Sequence, residues 1–171
     1  MAQHCPLELT THSAAETREL GGQLGRLLQP GHVVALIGEL GAGKTCLTQG
    51  IAAGLGVERA VTSPTFIMVN EYPTARASRL CHVDCYRLAV DGAREALGIG
   101  LDELLHGEAI CVVEWADRIE LLLPPDHLRV TLTYVDECTR HVQLTPLGAR
   151  HEALLMSLKA QRQRSSAALP R

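Results

Sequence analysis

Residues 33–50, "VVALIGELGAGKTCLTQG", place an apolar run, a glycine-rich turn and the start of an amphipathic segment in immediate succession. The run "HVVALI" (32–37) shows no apolar–polar alternation, as expected of a strand covered on both faces in a parallel sheet. Gly38, Gly43, Lys44 and Thr45 then satisfy G-x-x-x-x-G-K-[ST]. Glycines let backbone N–H groups turn inward and approach phosphate closely. The helix that follows contributes positive potential at its N-terminus. On this reading the loop Gly38, Glu39, Leu40, Gly41, Ala42 and Gly43, with Lys44 and Thr45, surrounds the phosphates of a nucleotide. Lys44 reaches the β- and γ-phosphates, and Thr45 places its hydroxyl on Mg²⁺. The bland alternative is a glycine-rich helix cap, and the order strand, loop, helix argues against it.

Lysine usage sharpens the assignment. Of 16 basic residues only Lys44 and Lys159 are lysines, and the rest are arginine. A chain that otherwise uses arginine keeps lysine where a compact point charge must lie alongside phosphates. The guanine-reading N-K-x-D motif needs a lysine well downstream of the loop, and Lys159 stands in "SLKAQ" instead. ATP is therefore the expected nucleotide.

The 171 residues suit a single domain, with 46% hydrophobic residues to fill one core. That core must be aliphatic, because Phe66, Trp115, Tyr72, Tyr86 and Tyr134 are the only aromatic side chains besides histidine. A formal charge of −3 offers no basic surface for autonomous nucleic-acid binding, so no DNA partner is expected. No apolar run approaches the roughly 18–20 residues of a membrane span. The N-terminal stretch lacks the basic-then-apolar pattern of a secretory leader, which points to the cytoplasm. Cysteines 5, 46, 81, 85, 111 and 138 form no C-x-x-C pair. Cys81, His82 and Cys85 are close, but further ligands at zinc-finger spacing are missing, so reduced thiols are expected.

Along the chain, Ser13 and Glu16 form a capping box ahead of Leu20, Leu24, Leu27 and Leu28, and Pro30-Gly31 closes that helix. After the phosphate loop, a helix runs to about Leu55. "IMVNEY", "RLCHVD" and "AICVVE" are strand candidates, the last two ending in Asp84 and Glu114. Short helices fall near "AREAL" and "LDELLHG", and "WADRIELLLPP" reads as a helix. "HLRVTLTYV" and "TRHVQLTPL" alternate like half-exposed antiparallel strands. The expected architecture is an α/β three-layer fold of P-loop NTPase type, its sheet mainly parallel with antiparallel C-terminal edge strands. Residues 1–148 form the ATPase domain, and 149–171 a C-terminal helix with a frayed, flexible tail.

Nucleotide chemistry needs carboxylates for Mg²⁺ and a group that positions the attacking oxygen. In an open parallel sheet these sit at the carboxyl ends of strands beside the loop, where Asp84 and Glu114 both fall. The usual apolar-run-then-Asp pattern is absent, and the longer glutamate arm suits water-mediated metal contact or water orientation. Each carboxylate could instead merely cap a strand. "TSPT" (62–65) offers hydroxyls on a proline-stiffened loop, where nucleotide switches sense the γ-phosphate, although an ordinary turn fits equally.

"GELGAGKT", "VTSPTF", "HVDCYRL" and "AICVVEW", in this order and spacing, resemble TsaE (also called YjeE), the P-loop ATPase family of bacterial tRNA threonylcarbamoyladenosine synthesis. The likeness runs from about residue 10 to 145. It implies that Ser63, Pro64 and Thr65 are a switch loop over the γ-phosphate, and that Asp84 acts around Mg²⁺ or the attacking water. It makes Lys44, Asp84 and Glu114 the catalytic set, Thr45, Asp84 and Glu114 the metal set, and Trp115 a neighbour of the nucleotide; from the residues alone, Trp115 reads as a core or interface aromatic. His82 and Arg87 share the H-x-D-x-Y-R element without an assigned role. The resemblance further implies a Mg²⁺-dependent ATPase of low basal rate, stimulated by a TsaD–TsaB pair and touching tRNA through that complex. One departure is Cys46, where the family commonly has a second threonine; a thiol donates a weaker hydrogen bond to phosphate. The competing readings are a small-molecule kinase, disfavoured because Arg118, Arg129 and Arg140 are dispersed rather than clustered in a lid, and an ATP sensor without hydrolysis.

Overall fold

The computed structural model describes residues 5–64, 68–76, 78–89 and 93–167. Its centre is β2 (Val33–Ile37), the apolar run that precedes the glycine-rich loop. β2 pairs in parallel with β5 (Ile110–Glu114) on one side and β6 (His127–Tyr134) on the other. β4 (Arg79–Asp84) adds in parallel to β5, and β3 (Val69–Pro73) adds to β4 antiparallel. Beyond β6 lie β7 (Arg140–Leu147) and then β1 (Leu7–Thr11), each antiparallel to its neighbour. The seven-stranded order is β1-β7-β6-β2-β5-β4-β3. The strands read as continuous apolar runs, β2 and β5, are buried almost throughout. β6 and β7 keep their alternation and form the antiparallel pair, while β6 itself joins the parallel core. β1 and β3 form the two edges. β1 is an addition to the sequence reading, since "LELTT" alternates over too few residues to stand out.

Alternate residues of the strands feed two cores, making three layers. Val34, Leu36, Leu80, Ile110 and Val112 pack under α1 (Ala14–Leu27), α2 (Lys44–Gly54) and α5 (Ala149–Ala167). Val33, Ala35, Cys81, Val83 and Val113 face α3 (Ala93–Gly98), α4 (Leu101–Leu105) and the 3₁₀ helix Ala116–Leu122. The segment expected as an α-helix after Trp115 is this 3₁₀ helix, with non-helical backbone at Ile119. Trp115 enters it in the left-handed region at φ 57°, which turns the chain sharply at the end of β5.

α1 begins as its capping residues dictate: Ser13 Oγ accepts from the Glu16 N–H at 3.1 Å, and the Glu16 carboxylate accepts from the His12 N–H at 2.8 Å. Its contact with α2 is made of backbone. A Cβ on Gly21 would lie 2.3 Å from the Leu47 carbonyl oxygen, and one on Gly25 would lie 2.2 Å from that of Ile51. From the other helix, a Cβ on Gly50 would lie 2.1 Å from the Arg18 oxygen. Glycine is a poor helix former, yet at these positions it lets the helix carrying the phosphate loop seat directly on α1.

α5 is tied at both ends. Asp126 accepts from the N–H groups of Arg150 and His151 in its first turn, and from His151 Nδ1 at 2.6 Å. Leu154, Leu155 and Leu158 enter the core, and Arg162 donates to Gln23 of α1 at 2.7 Å. The helix therefore runs through Ala167, beyond the point where the sequence pattern fades. Among the described residues no helix is long and apolar enough to cross a membrane, and all six cysteines are free thiols.

Candidate active site

Strand register assembles the acidic half of the site. Side chains two residues apart share a face of a sheet, so Leu80, His82 and Asp84 of β4 line one face, as do Ile110, Val112 and Glu114 of β5. Asp84 and Glu114 are directly paired in the parallel ladder. Both strands thus pass from aliphatic to acidic residues toward their carboxyl ends, on the side that α2 covers. The two carboxylates are nearly fully buried, and each is held by specific donors. Glu114 accepts from Thr45 Oγ1 at Oε2 (2.9 Å) and from His82 Nε2 at Oε1 (2.8 Å). Asp84 accepts from the Tyr86 N–H at 2.8 Å and from the Ser63 hydroxyl in a short contact. Thr65 lies outside the described residues.

The loop supplies the cationic half. A Cβ on Gly38 would sit 2.4 Å from the Leu132 carbonyl oxygen, so only glycine lets the chain leave β2 this close to β6. Gly43, at φ 101°, is the N-cap of α2 and has no side chain to cover the first-turn N–H groups. Glu39, Leu40 and Gly41 form the exposed tip, and Ala42 is buried beneath. Lys44 is the buried cation of the site. Its ammonium donates to the carbonyls of Gly38 (2.6 Å) and Glu39 (2.8 Å) and stands 3.8 Å from the centre of the Trp115 ring. Burial lowers its pKa from the ordinary lysine value, while the carboxylates of Glu114, Asp84 and Asp117 pull the other way.

Around this centre lies a cleft of about 550 Å³ lined by Gly43, Lys44, Thr45, Asp84, Glu114 and Trp115, with Leu40, Gly41, Cys46, Ser63 and Tyr86 at its margin. Trp115 is flanked by Tyr86, with ring centres 5.1 Å apart, and by the Arg118 guanidinium at 5.4 Å. On the opposite side Arg140 donates to the Gly41 carbonyl at 3.2 Å and stacks on Tyr134. Arg118 and Arg140, dispersed in sequence, each touch residues that line the cleft, Arg118 at Trp115 and Tyr86 and Arg140 at Gly41, whereas Arg129 pairs with Glu120. Cys46 lines the cleft, yet its thiol donates to the Ala14 carbonyl of α1 at 3.2 Å. Burial raises its pKa, so it is a neutral thiol.

The donor set fits a magnesium–nucleotide complex. Among the described residues no atom lies within 4 Å of where a Cβ on Gly41 would stand, so the tip of the loop is open backbone. One hydroxyl and two carboxylates are hard oxygen donors of the kind Mg²⁺ takes, with waters and phosphate oxygens completing its shell.

Comparison with known proteins identifies the family. The family model "Threonylcarbamoyl adenosine biosynthesis protein TsaE" matches residues 11–142. A Bacillus subtilis (strain 168) protein named tRNA threonylcarbamoyladenosine biosynthesis protein TsaE is 38% identical over 152 residues, covering 89% of this chain and 93% of its own. The Streptomyces coelicolor protein of the same name is 45% identical over 139 residues, covering 78% and 92%. The crystal structure of Bacillus subtilis YdiB superimposes with a TM-score of 0.79 at 34% identity, over 92% of this chain and 97% of that one. With the matched segment spanning both the glycine-rich loop and the strand that ends in Glu114, the chain belongs to the TsaE family.

Proposed function

We propose that this protein binds Mg²⁺-ATP in the cleft above β2, β4 and β5 and hydrolyses it for tRNA threonylcarbamoyladenosine synthesis, acting with homologues of TsaD and TsaB. The supporting observation is convergence. The Lys44 ammonium, the Thr45 hydroxyl and the carboxylates of Asp84 and Glu114 line one cleft at the mouth of a glycine-rich loop. Backbone N–H groups from Gly38 to Thr45 bind the phosphates, and Lys44 exchanges its carbonyl contacts for phosphate oxygens. Thr45, Glu114 and Asp84 hold Mg²⁺, which supplies charge neutralisation at the β- and γ-phosphates. Asp84, tied through Ser63 to the loop that follows α2, orients the attacking water and links its position to that loop. Trp115 closes the side of the cleft and excludes bulk solvent. Its strained backbone carries the ring to the nucleotide side of β5.

Hydrolysis in this setting serves a partner, with ATP binding organising the complex and phosphate release resetting it. The test is Mg²⁺-dependent phosphate release by the chain alone and with TsaD and TsaB homologues. Low basal release, raised by the partners and abolished in Lys44→Ala, is expected. Release unchanged by the partners would remove the link to the modification complex and direct the search to small hydroxyl-bearing phosphate acceptors.

A further inference from the structure

We infer that His82 is a positioning residue for Glu114, fixing which of its carboxylate oxygens faces Thr45 and the metal; this rests on the Mg²⁺-ATP reading above. His82 is fully buried in β4, on the face shared with Leu80 and Asp84. It stands level with Val112 in the ladder, so Glu114, two residues on, is its diagonal neighbour. Its Nε2 lies 2.8 Å from Glu114 Oε1, and its Nδ1 is buried with no hydrogen-bond partner among the described residues. An ionised carboxylate only accepts, so the Nε2 proton is the one donated.

A buried nitrogen without a partner is costly. An aliphatic residue, like Leu80 below and Val112 beside it, would fill this volume without that cost. What the imidazole adds is a single donor aimed at Glu114. A glutamate has three side-chain torsions, and held only through Oε2 by Thr45 it could swing its carboxylate about that contact. Anchored at Oε1 as well, it presents Oε2 to the Thr45 hydroxyl in one orientation. The chain His82–Glu114–Thr45 thus runs from the sheet interior to the first turn of the phosphate-loop helix. Outer partners of this kind change metal affinity or activity by about 10–100-fold when removed.

Three variants separate this from mere space-filling. His82→Phe keeps the ring volume without the donor. His82→Gln places an amide N–H near the position of Nε2, and His82→Asn is too short to reach Glu114. Each is titrated with Mg²⁺ at fixed non-hydrolysable ATP analogue, following Trp115 fluorescence, and assayed for phosphate release. We expect the Mg²⁺ midpoint to rise about 10-fold or more in His82→Phe and His82→Asn, with the wild-type value largely restored in His82→Gln. Equal midpoints in folded His82→Gln and His82→Asn overturn the proposal, and this comparison stands even if His82→Phe does not fold. A nucleotide-free arm uses NMR of the imidazole N–H protons. The proton absent from His82→Gln should move strongly upfield in Glu114→Ala, and its failure to move overturns the contact. Absence of Mg²⁺-ATP binding in the unsubstituted chain would instead overturn the ATPase reading, leaving the NMR arm to decide the contact.

Discussion

Replacing Gly50 by alanine tests the backbone contact on which the phosphate-loop helix rests. The new Cβ would lie 2.1 Å from the Arg18 carbonyl oxygen, 2.8 Å from its carbon and 2.9 Å from its Cα. All three are backbone atoms inside α1, so no rotamer change relieves the overlap. The helices must separate by about 1 Å to restore ordinary contact, which loosens the packing of Leu20, Leu24, Leu47 and Ile51 beneath them. Overpacking of this kind costs about 1–3 kcal/mol and sometimes more. Alanine's better helix propensity offsets roughly 1 kcal/mol. With a backbone overlap this deep the upper end applies, giving a net loss of about 2 kcal/mol and a fall in Tm of roughly 4–8 °C. The assay is thermal unfolding followed by circular dichroism, with Gly98→Ala as control, because nothing lies within 4 Å of a Cβ there. Gly98→Ala should be neutral or slightly stabilising. A Gly50→Ala protein that melts with the wild type would refute the close approach of α1 and α2.

Three further outcomes can be checked independently. Burial, reinforced by the nearby charges of His151 and Arg150 and opposed by Asp126, holds His32 down to about 4, whereas in the unfolded chain it titrates near 6.5. The unfolded state therefore gains protons first as pH falls, and stability present above about pH 6.5 is lost toward pH 4. Urea unfolding at pH 7.5 and pH 5 should differ by about 2 kcal/mol from this residue, and a flat profile would mean that His32 is solvated. Glu114→Ala should still bind ATP but release phosphate about 100-fold more slowly or less, stalling the modification cycle; undiminished threonylcarbamoyladenosine formation would make the chain a sensor. Cys46→Thr should tighten ATP binding up to about 10-fold by offering a hydroxyl in place of a neutral thiol, one hydrogen bond being worth about 0.5–1.5 kcal/mol. Unchanged affinity by calorimetry would show that this position does not touch phosphate.

The sequence spoke most clearly where chemistry and periodicity coincide. The apolar run, the G-x-x-x-x-G-K-T turn and the carboxylates ending two buried strands could all be read locally, and alternation alone put His82, Asp84 and Glu114 on a common face once the register was known. What stayed hidden is non-local. Gly21, Gly25 and Gly50 look like weak points in helices until the partner backbone is in view. Arg140 lies 99 positions beyond Gly41 in the sequence and reaches its carbonyl only because β6 and β7 return beside the loop. "QRQRSSAALPR" reads as a fraying end, but its Arg162 donates to Gln23 of α1. Trp115 needed the observed left-handed backbone to show how an aromatic at the end of β5 lines the cleft while packing against the core beneath the 3₁₀ helix.

The pairing of Asp84 with Glu114 across β4 and β5 also bears on how the chain avoids misfolding. Sliding a strand by one residue turns all of its side chains to the opposite face. Either acid would then point into the apolar core that holds Cys85, Leu88, Ala116 and Ile119. An unpaired buried carboxylate is penalised far more heavily than a misplaced valine. The two acids therefore act as proofreaders of strand alignment, and a molecule that has aligned its strands wrongly is both inactive and too unstable to persist.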